Sequence, residues 1–174
     1  FVFITGITKF SQLSIFSELN NLTNISMDTE FGGICGITKE EMLTQMQDYI
    51  ELMAHTNGWT YEETIELLKR QYDGYHFTWP SPDLFNPFSL FQAFNKKKVE
   101  NYWFATGTPA YLIEMMKKHD TLPSHIDIME GGADDFDAPT ETMTTIMPLL
   151  YQSGYITIKE HDRKFGNYTL GIPN

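Results

Sequence analysis

The first five residues, Phe1-Val2-Phe3-Ile4-Thr5, form a continuous apolar run with no start signal ahead of them. A short unbroken run of this kind suits a strand buried on both faces, as in the centre of a parallel sheet. The polar turn Thr5-Gly6-Ile7-Thr8-Lys9 closes it. Such a strand needs neighbours, and no further run of the same kind follows. The pattern therefore predicts that the chain is a piece of a larger fold.

With 174 residues, 41% of them apolar, the chain can bury a core as one compact domain or two small subdomains. The longest apolar stretches fall well short of the roughly 20 residues that cross a bilayer. No basic segment or small-residue cleavage site stands at the start. Membrane insertion and secretion are not expected, and a cytoplasmic location is. Cys35 is the only cysteine, which excludes an internal disulfide and a Cys-rich metal site, and it reads as a small buried hydrophobe.

Twelve Lys and Arg against 23 Asp and Glu give a net charge of −11 and a pI near 4.7. Electrostatics over the whole chain repel nucleic acid, so any such contact needs a local basic surface. The cluster available is Lys159, His161, Arg163 and Lys164. The acids concentrate between Glu130 and Glu141, a stretch that reads as a solvated loop and matches no calcium-loop spacing.

Capping signals organise the middle of the chain. Thr38-Lys-Glu-Glu41 is a capping box that opens a helix to about His55, closed by Asn57-Gly58. Thr60-Tyr-Glu-Glu63 opens a second helix to about Gln71, with Gly74 placed to end it, and the two should form a hairpin. Asn86-Pro87 starts a third helix carrying Phe88, Leu90, Phe91 and Phe94, and Thr108-Pro109 a fourth to about Lys118. Tyr72, Tyr75, Phe77 and Trp79 read as a structural aromatic cluster, and Asp73 either caps the turn there or faces a neighbouring charge.

Toward the C-terminus, Thr140 to Gln152 looks helical, with Pro148 expected to kink or break it. Tyr155 to Glu160 alternates as a half-buried strand, and a turn over His161 to Asn167 leads to a second strand, Tyr168 to Ile172. Helix, strand, turn and strand fit the closing half of a winged-helix module and equally a plain helix-plus-hairpin cap.

Catalytic motifs are absent from the sequence. There is no Gly-x-x-x-x-Gly-Lys-[Ser/Thr], no Gly-x-Gly-x-x-Gly, no Gly-x-Ser-x-Gly and no His-Glu-x-x-His. The histidines His55, His76, His119, His125 and His161 read as surface or capping residues, and no metal site is expected. Pro82-Asp83 has the opening of a magnesium nuclease core but lacks a following Glu-x-Lys.

Six segments carry a resemblance: Phe3 to Ser11; Ser14 to Ser17 with Leu19 to Leu22; Tyr72-Asp-Gly-Tyr-His-Phe77; Asn86-Pro-Phe-Ser89; Tyr102-Trp-Phe with Thr106-Gly-Thr-Pro109; and Leu150 to Thr157. In this order they resemble the region after the Walker motifs of the AAA-ATPase-like family, P-loop proteins related to archaeal and STAND-type ATPases. Members often carry a C-terminal nuclease-like domain of the Pro-Asp-(Asp/Glu)-x-Lys type.

The resemblance implies an α+β, mostly α fold in three parts: a remnant strand of a P-loop sheet within residues 1–36, a helical lid over 37–120, and an acidic loop with a winged-helix-like helix and hairpin over 121–174. It makes Thr5, Thr8 and Lys9 sensor candidates, because the C-terminal end of that strand faces the γ-phosphate, where a hydroxyl or ammonium can stabilise charge. Read without the resemblance, the two threonines cap a turn and Lys9 is solvated. It likewise makes Gly107 and Pro109 the lid element on the base, against an ordinary helix start, and Arg70 the lid contact to phosphate. ATP and Mg²⁺ are implied for the intact protein, none for this chain alone, which lacks both Walker motifs. The implied partners are an upstream P-loop core and a C-terminal effector domain. The alternative is a nucleotide-independent module in which Arg163 and Lys164, at a hairpin tip, contact nucleic acid. Against it, Glu141 to Tyr151 contains no Lys or Arg.

Overall fold

The computed structural model describes residues 23–103, 109–126, 128–140 and 143–174. The expected strand at residues 1–5 lies outside them. Over the described residues the protein is α+β and mostly helical, with two small antiparallel sheets. Its contacts divide it into two compact units. One comprises Ser26–Ala110 with Pro173–Asn174, and the other includes Tyr111–Ile172.

The helical unit begins with strand β1 (Ile37–Thr38), followed by α1 (Lys39–Gln45) and α2 (Gln47–Asn57). The capping box forms as the sequence predicts: Glu41 N–H donates to Thr38 Oγ1 at 3.2 Å, and Thr38 N–H donates to Glu41 Oε2 at 2.8 Å. The single helix expected from 38 to 55 is instead broken at Met46, which leaves helical geometry at φ −122°, ψ 18°. An unbroken helix would align Met42, Met46, Tyr49 and Met53 on one face. The break turns the buried stripe of α2 to Ile50, Met53 and Ala54 and leaves Tyr49 57% exposed. Gly58, at φ +70°, ends α2. The bond from Trp59 N–H to Ala54 O, 3.0 Å, satisfies a terminal carbonyl in a left-handed cap.

The second capping box, Thr60 with Glu63, opens α3 (Tyr61–Tyr72). Strand β2 (Leu84–Phe85) pairs antiparallel with β1, Ile37 opposite Phe85. Asn86 then caps α4 (Pro87–Lys96) by accepting from Ser89 N–H at 2.9 Å, with Pro87 in the first turn. Of the apolar residues expected to seat α4, Leu90 and Phe94 are buried while Phe88 and Phe91 are exposed. Met42, Ile50, Leu68, Phe85 and Leu90, none of them exposed, lie at the centre of the core. The Asn57 side-chain amide ties two helix ends together, donating to Met53 O and to Lys97 O at 2.9 Å each.

The other unit contains most of α5 (Pro109–Lys118), then β3 (Met129–Gly131), α6 (Ala133–Phe136), α7 (Met147–Gln152), β4 (Thr157–Asp162) and β5 (Asn167–Gly171). The sheet order is β3-β5-β4, all antiparallel, with Ile158 opposite Leu170 and a register shift between Ile158 and Glu160. Three expectations are corrected here. The acidic stretch is not simply a solvated loop: it supplies β3 and α6, and Phe136 is fully buried with Tyr151 and Tyr168 edge-on to its ring at 4.8 and 5.3 Å. Pro148 does not break a helix running from 140. Residues 143–146 are non-helical and Pro148 lies in the first turn of α7, where its missing N–H costs nothing. Cys35, expected to be buried, is exposed.

Tyr72 closes the helical unit. Its backbone carbonyl accepts from Asn86 N–H at 2.8 Å, and its hydroxyl donates to Glu100 O at 2.8 Å while accepting from Glu100 N–H at 3.0 Å. Burial pushes the phenol up to about 12, so the hydroxyl stays protonated throughout the physiological range. Tyr72→Phe leaves both Glu100 backbone groups without this partner. It should lower unfolding stability by about 1–3 kcal/mol, read by urea denaturation with an unchanged m-value.

Candidate functional site

The segment Tyr72-Asp-Gly-Tyr75 ends α3 and builds the site. Gly74, at φ +92°, turns the chain so that Tyr75 and Leu84 exchange both backbone hydrogen bonds at 3.1 Å. This return brings Asp83 beside the last turns of α3. Glu63, Glu66, Leu67, Lys69, Arg70, Asp73 and Gly74 line an open cleft of about 870 Å³ together with Trp59, Asp83, Pro173 and Asn174. Four carboxylates thus face two cations, which favours a positive ligand and disfavours a triphosphate inside the cleft.

Asp73 is the unusual member. It is 5% exposed, and its Oδ1 has no hydrogen-bond partner. The Gly74 N–H donates to the carboxylate. Burial holds the Asp73 carboxyl above the usual aspartate range and the neighbouring Asp83 charge adds to this, against the opposing Gly74 hydrogen bond and the Lys69 and His76 charges. His76, read from sequence as a surface or capping residue, is instead buried. Its Nε2 lies 2.9 Å from Asp83 Oδ1 and its ring meets Trp79 edge-on at 5.2 Å. Of the aromatic residues of this segment, Tyr72 is core, and Tyr75 stacks on Phe77 at 6.5 Å.

Among the sequence candidates, Thr5, Thr8, Lys9 and Gly107 lie outside the described residues. Pro109 is the first residue of α5. Arg70 is exposed in the last turn of α3 and lines the cleft. Arg163 and Lys164 are exposed in the turn between β4 and β5, beside Phe165, which is 69% exposed and has Lys164 Nζ 5.2 Å from its ring centroid. Among the described residues no three His, Cys, Asp or Glu side chains could jointly hold a metal ion, and no helix is long and apolar enough to cross a membrane. Sequence reasoning left Asp73 open between two structural roles and did not anticipate its burial. The signal was an acid wedged between aromatics at a helix end.

No protein-family model matches the chain, and no solved structure matches it. Among curated proteins, the chain is 29% identical over 182 residues to an uncharacterized protein in the vnfD 5′ region of Azotobacter chroococcum mcd 1. The match takes in the whole of this chain and 32% of that protein. The chain therefore spans about a third of the length of the curated relative it matches.

Two substitutions test the site's energetics. Because the folded-state pKa of Asp73 is raised, its ionised form destabilises the fold. That penalty is complete above the raised value and vanishes below the ordinary aspartate range. Asp73→Asn should therefore stabilise the protein near pH 7 by about 1 kcal/mol, a gain that disappears as the pH falls toward 3 in thermal unfolding. A side chain on Gly74 would collide with the Pro173 carbonyl oxygen, whereas nothing lies within 4 Å of one on Gly58. Both glycines have positive φ, so Gly74→Ala should cost about 2–3 kcal/mol and Gly58→Ala about 1 kcal/mol in the same assay.

Proposed function

We propose that the chain is the portion of an AAA-ATPase-like P-loop protein that follows its Walker motifs, completing an ATP site and coupling it to an effector domain. In this reading the phosphate cradle and Mg²⁺ site belong to a core ahead of Phe1. Thr5, Thr8 and Lys9 act as sensors of the terminal phosphate, and Gly107 and Pro109 close on the base. Arg70, exposed at the end of α3 and in no ion pair among the described residues, is the lid's contact to phosphate. The acids of the cleft argue that this contact is made outward from its rim. ATP binding then closes the lid, and the C-terminal module passes the state on. The effector, by the same resemblance, is nuclease-like.

The observation that carries the reading is the order of the C-terminal elements. A winged-helix module runs helix, short strand, two helices and hairpin, with the short strand beside the second strand of the hairpin. The sequence α5, β3, α6, α7, β4, β5 with sheet order β3-β5-β4 has that arrangement. The recognition-helix position falls to α7, whose residues Met147 to Leu150 are buried, which suits packing against protein better than reading a groove. The greater length of the curated relative leaves room for the core and effector the reading requires.

A second reading is favoured by the hairpin tip, where Arg163, Lys164 and Phe165 are all exposed: a nucleotide-independent module in which this tip contacts phosphates and stacks on a base. The two separate cleanly. In the longer native protein, the ATPase reading expects saturable ATP binding, and hydrolysis reduced about 100-fold by Arg70→Ala without loss of folding. Absence of ATP binding by that protein rejects it. The second reading expects salt-steep binding of DNA or RNA by the 174-residue chain, lost in Arg163→Ala/Lys164→Ala, and fails if no binding is seen at low salt.

A further inference from the structure

We propose that the outer face of α2 and α4 is where two copies of this chain pair, α2 of one copy lying over α4 of the other. The inference stands apart from the nucleotide reading and uses none of its steps. Its starting point is the set of large apolar side chains left outside the helical core: Tyr49 and Leu52 on α2, and Phe88 and Phe91 on α4. Each pair is three residues apart, so each lies along one side of its helix. The two helices adjoin. The Tyr49 ring meets the buried Phe94 ring at 5.7 Å, and the Asn57 amide holds the Lys97 carbonyl at 2.9 Å. Phe91 stands about 60° around α4 from Phe94, and Leu52 about 60° around α2 from Tyr49, at 3.6 residues per turn. Both turn away from the core, and they are 54% and 51% exposed. A single exposed apolar residue is ordinary, but four on adjoining helices, three of them aromatic, have the composition of an interface centre.

The charges choose the occupant. Asp48 and Glu51 are exposed on α2, and Lys96 and Lys98 are exposed at the end of α4. None of the four is in an ion pair among the described residues: Glu51 accepts from the Gln47 amide, and Lys96 Nζ lies 4.8 Å from the Tyr102 ring centroid. One helix thus brings acids to the face and the other brings bases. A two-fold interface sets residue i of one copy against residue j of the other, and j against i. Laying α2 over the other copy's α4 brings Asp48 and Glu51 to Lys96 and Lys98 twice, whereas α2 on α2 would set acid against acid. The acids disfavour nucleic acid and an anionic bilayer on this face, and the lysines disfavour a basic protein. A second copy supplies both signs in the required order.

The test is sedimentation equilibrium of the 174-residue chain and of the longer native protein. A dimer with a Kd of about 10 µM or tighter is expected of both. The doubly exposed variant Leu52→Glu/Phe91→Glu should weaken it at least about 100-fold. Asp48→Lys/Glu51→Lys and Lys96→Glu/Lys98→Glu should each weaken self-association about tenfold or more, and an equimolar mixture of the two should restore it as a heterodimer. A chain that stays monomeric at about 200 µM overturns the proposal. So does a dimer indifferent to Leu52→Glu/Phe91→Glu, since its contact then lies elsewhere. Charge reversals without effect, or a mixture that fails to associate, overturn the pairing of α2 with α4. Association by the 174-residue chain that is absent from the longer protein assigns the face to the rest of that protein and overturns a second copy as its occupant. Should Leu52→Glu/Phe91→Glu lose its helical spectrum, the mixture of charge-reversed chains decides in its place.

Discussion

The helical unit depends on the way Tyr72 is held. Its ring sits in the core, its carbonyl receives the Asn86 amide, and its hydroxyl makes two bonds with the Glu100 backbone. One residue therefore joins the end of α3, the entry to α4 and the segment beyond α4. The turn that carries Asp73 and Asp83 to the cleft follows within the next eleven residues. Once Tyr72 is fixed, Gly74 must turn the chain sharply, Tyr75 must meet Leu84, and Asp73 is left facing inward between them.

Burying an aspartate there runs against stability, and the surroundings only partly relieve it. The Gly74 amide and the charges of Lys69 and His76 favour the ionised form, while burial and the Asp83 carboxylate oppose it. A sequence selected for stability alone would place a neutral residue at this point.

The parts of the fold legible in the sequence are those set by local chemistry. Both capping boxes, the Asn86-Pro87 start, the Gly58 stop and the β4–β5 hairpin depend on residues within a few positions of one another, and their signals could be read directly. The parts that were not legible depend on distant partners. Nothing at residues 45–47 marks the break in α1–α2, which serves to turn Ile50 rather than Tyr49 inward. Strand β3 is three residues long and ends in glycine, so only its pairing with β5 defines it. Pro148 reads in the sequence as an interior breaker because the helix start it serves has no polar cap to announce it. The burial of Asp73 and the cleft around it involve residues 59, 83 and 173, which no single window contains.

The position of Pro173 and Asn174 against Gly74 has a consequence for how the molecule comes into being. The helical unit is discontinuous in sequence: its helices are complete by Lys96, yet one wall of its cleft is made of the last two residues of the chain. On a ribosome, α1 to α4 emerge and can pack long before that wall exists, and β4 and β5 must be synthesised in between. The surroundings of Asp73 are therefore more open in the nascent chain before Pro173 and Asn174 emerge than after they pack against Gly74.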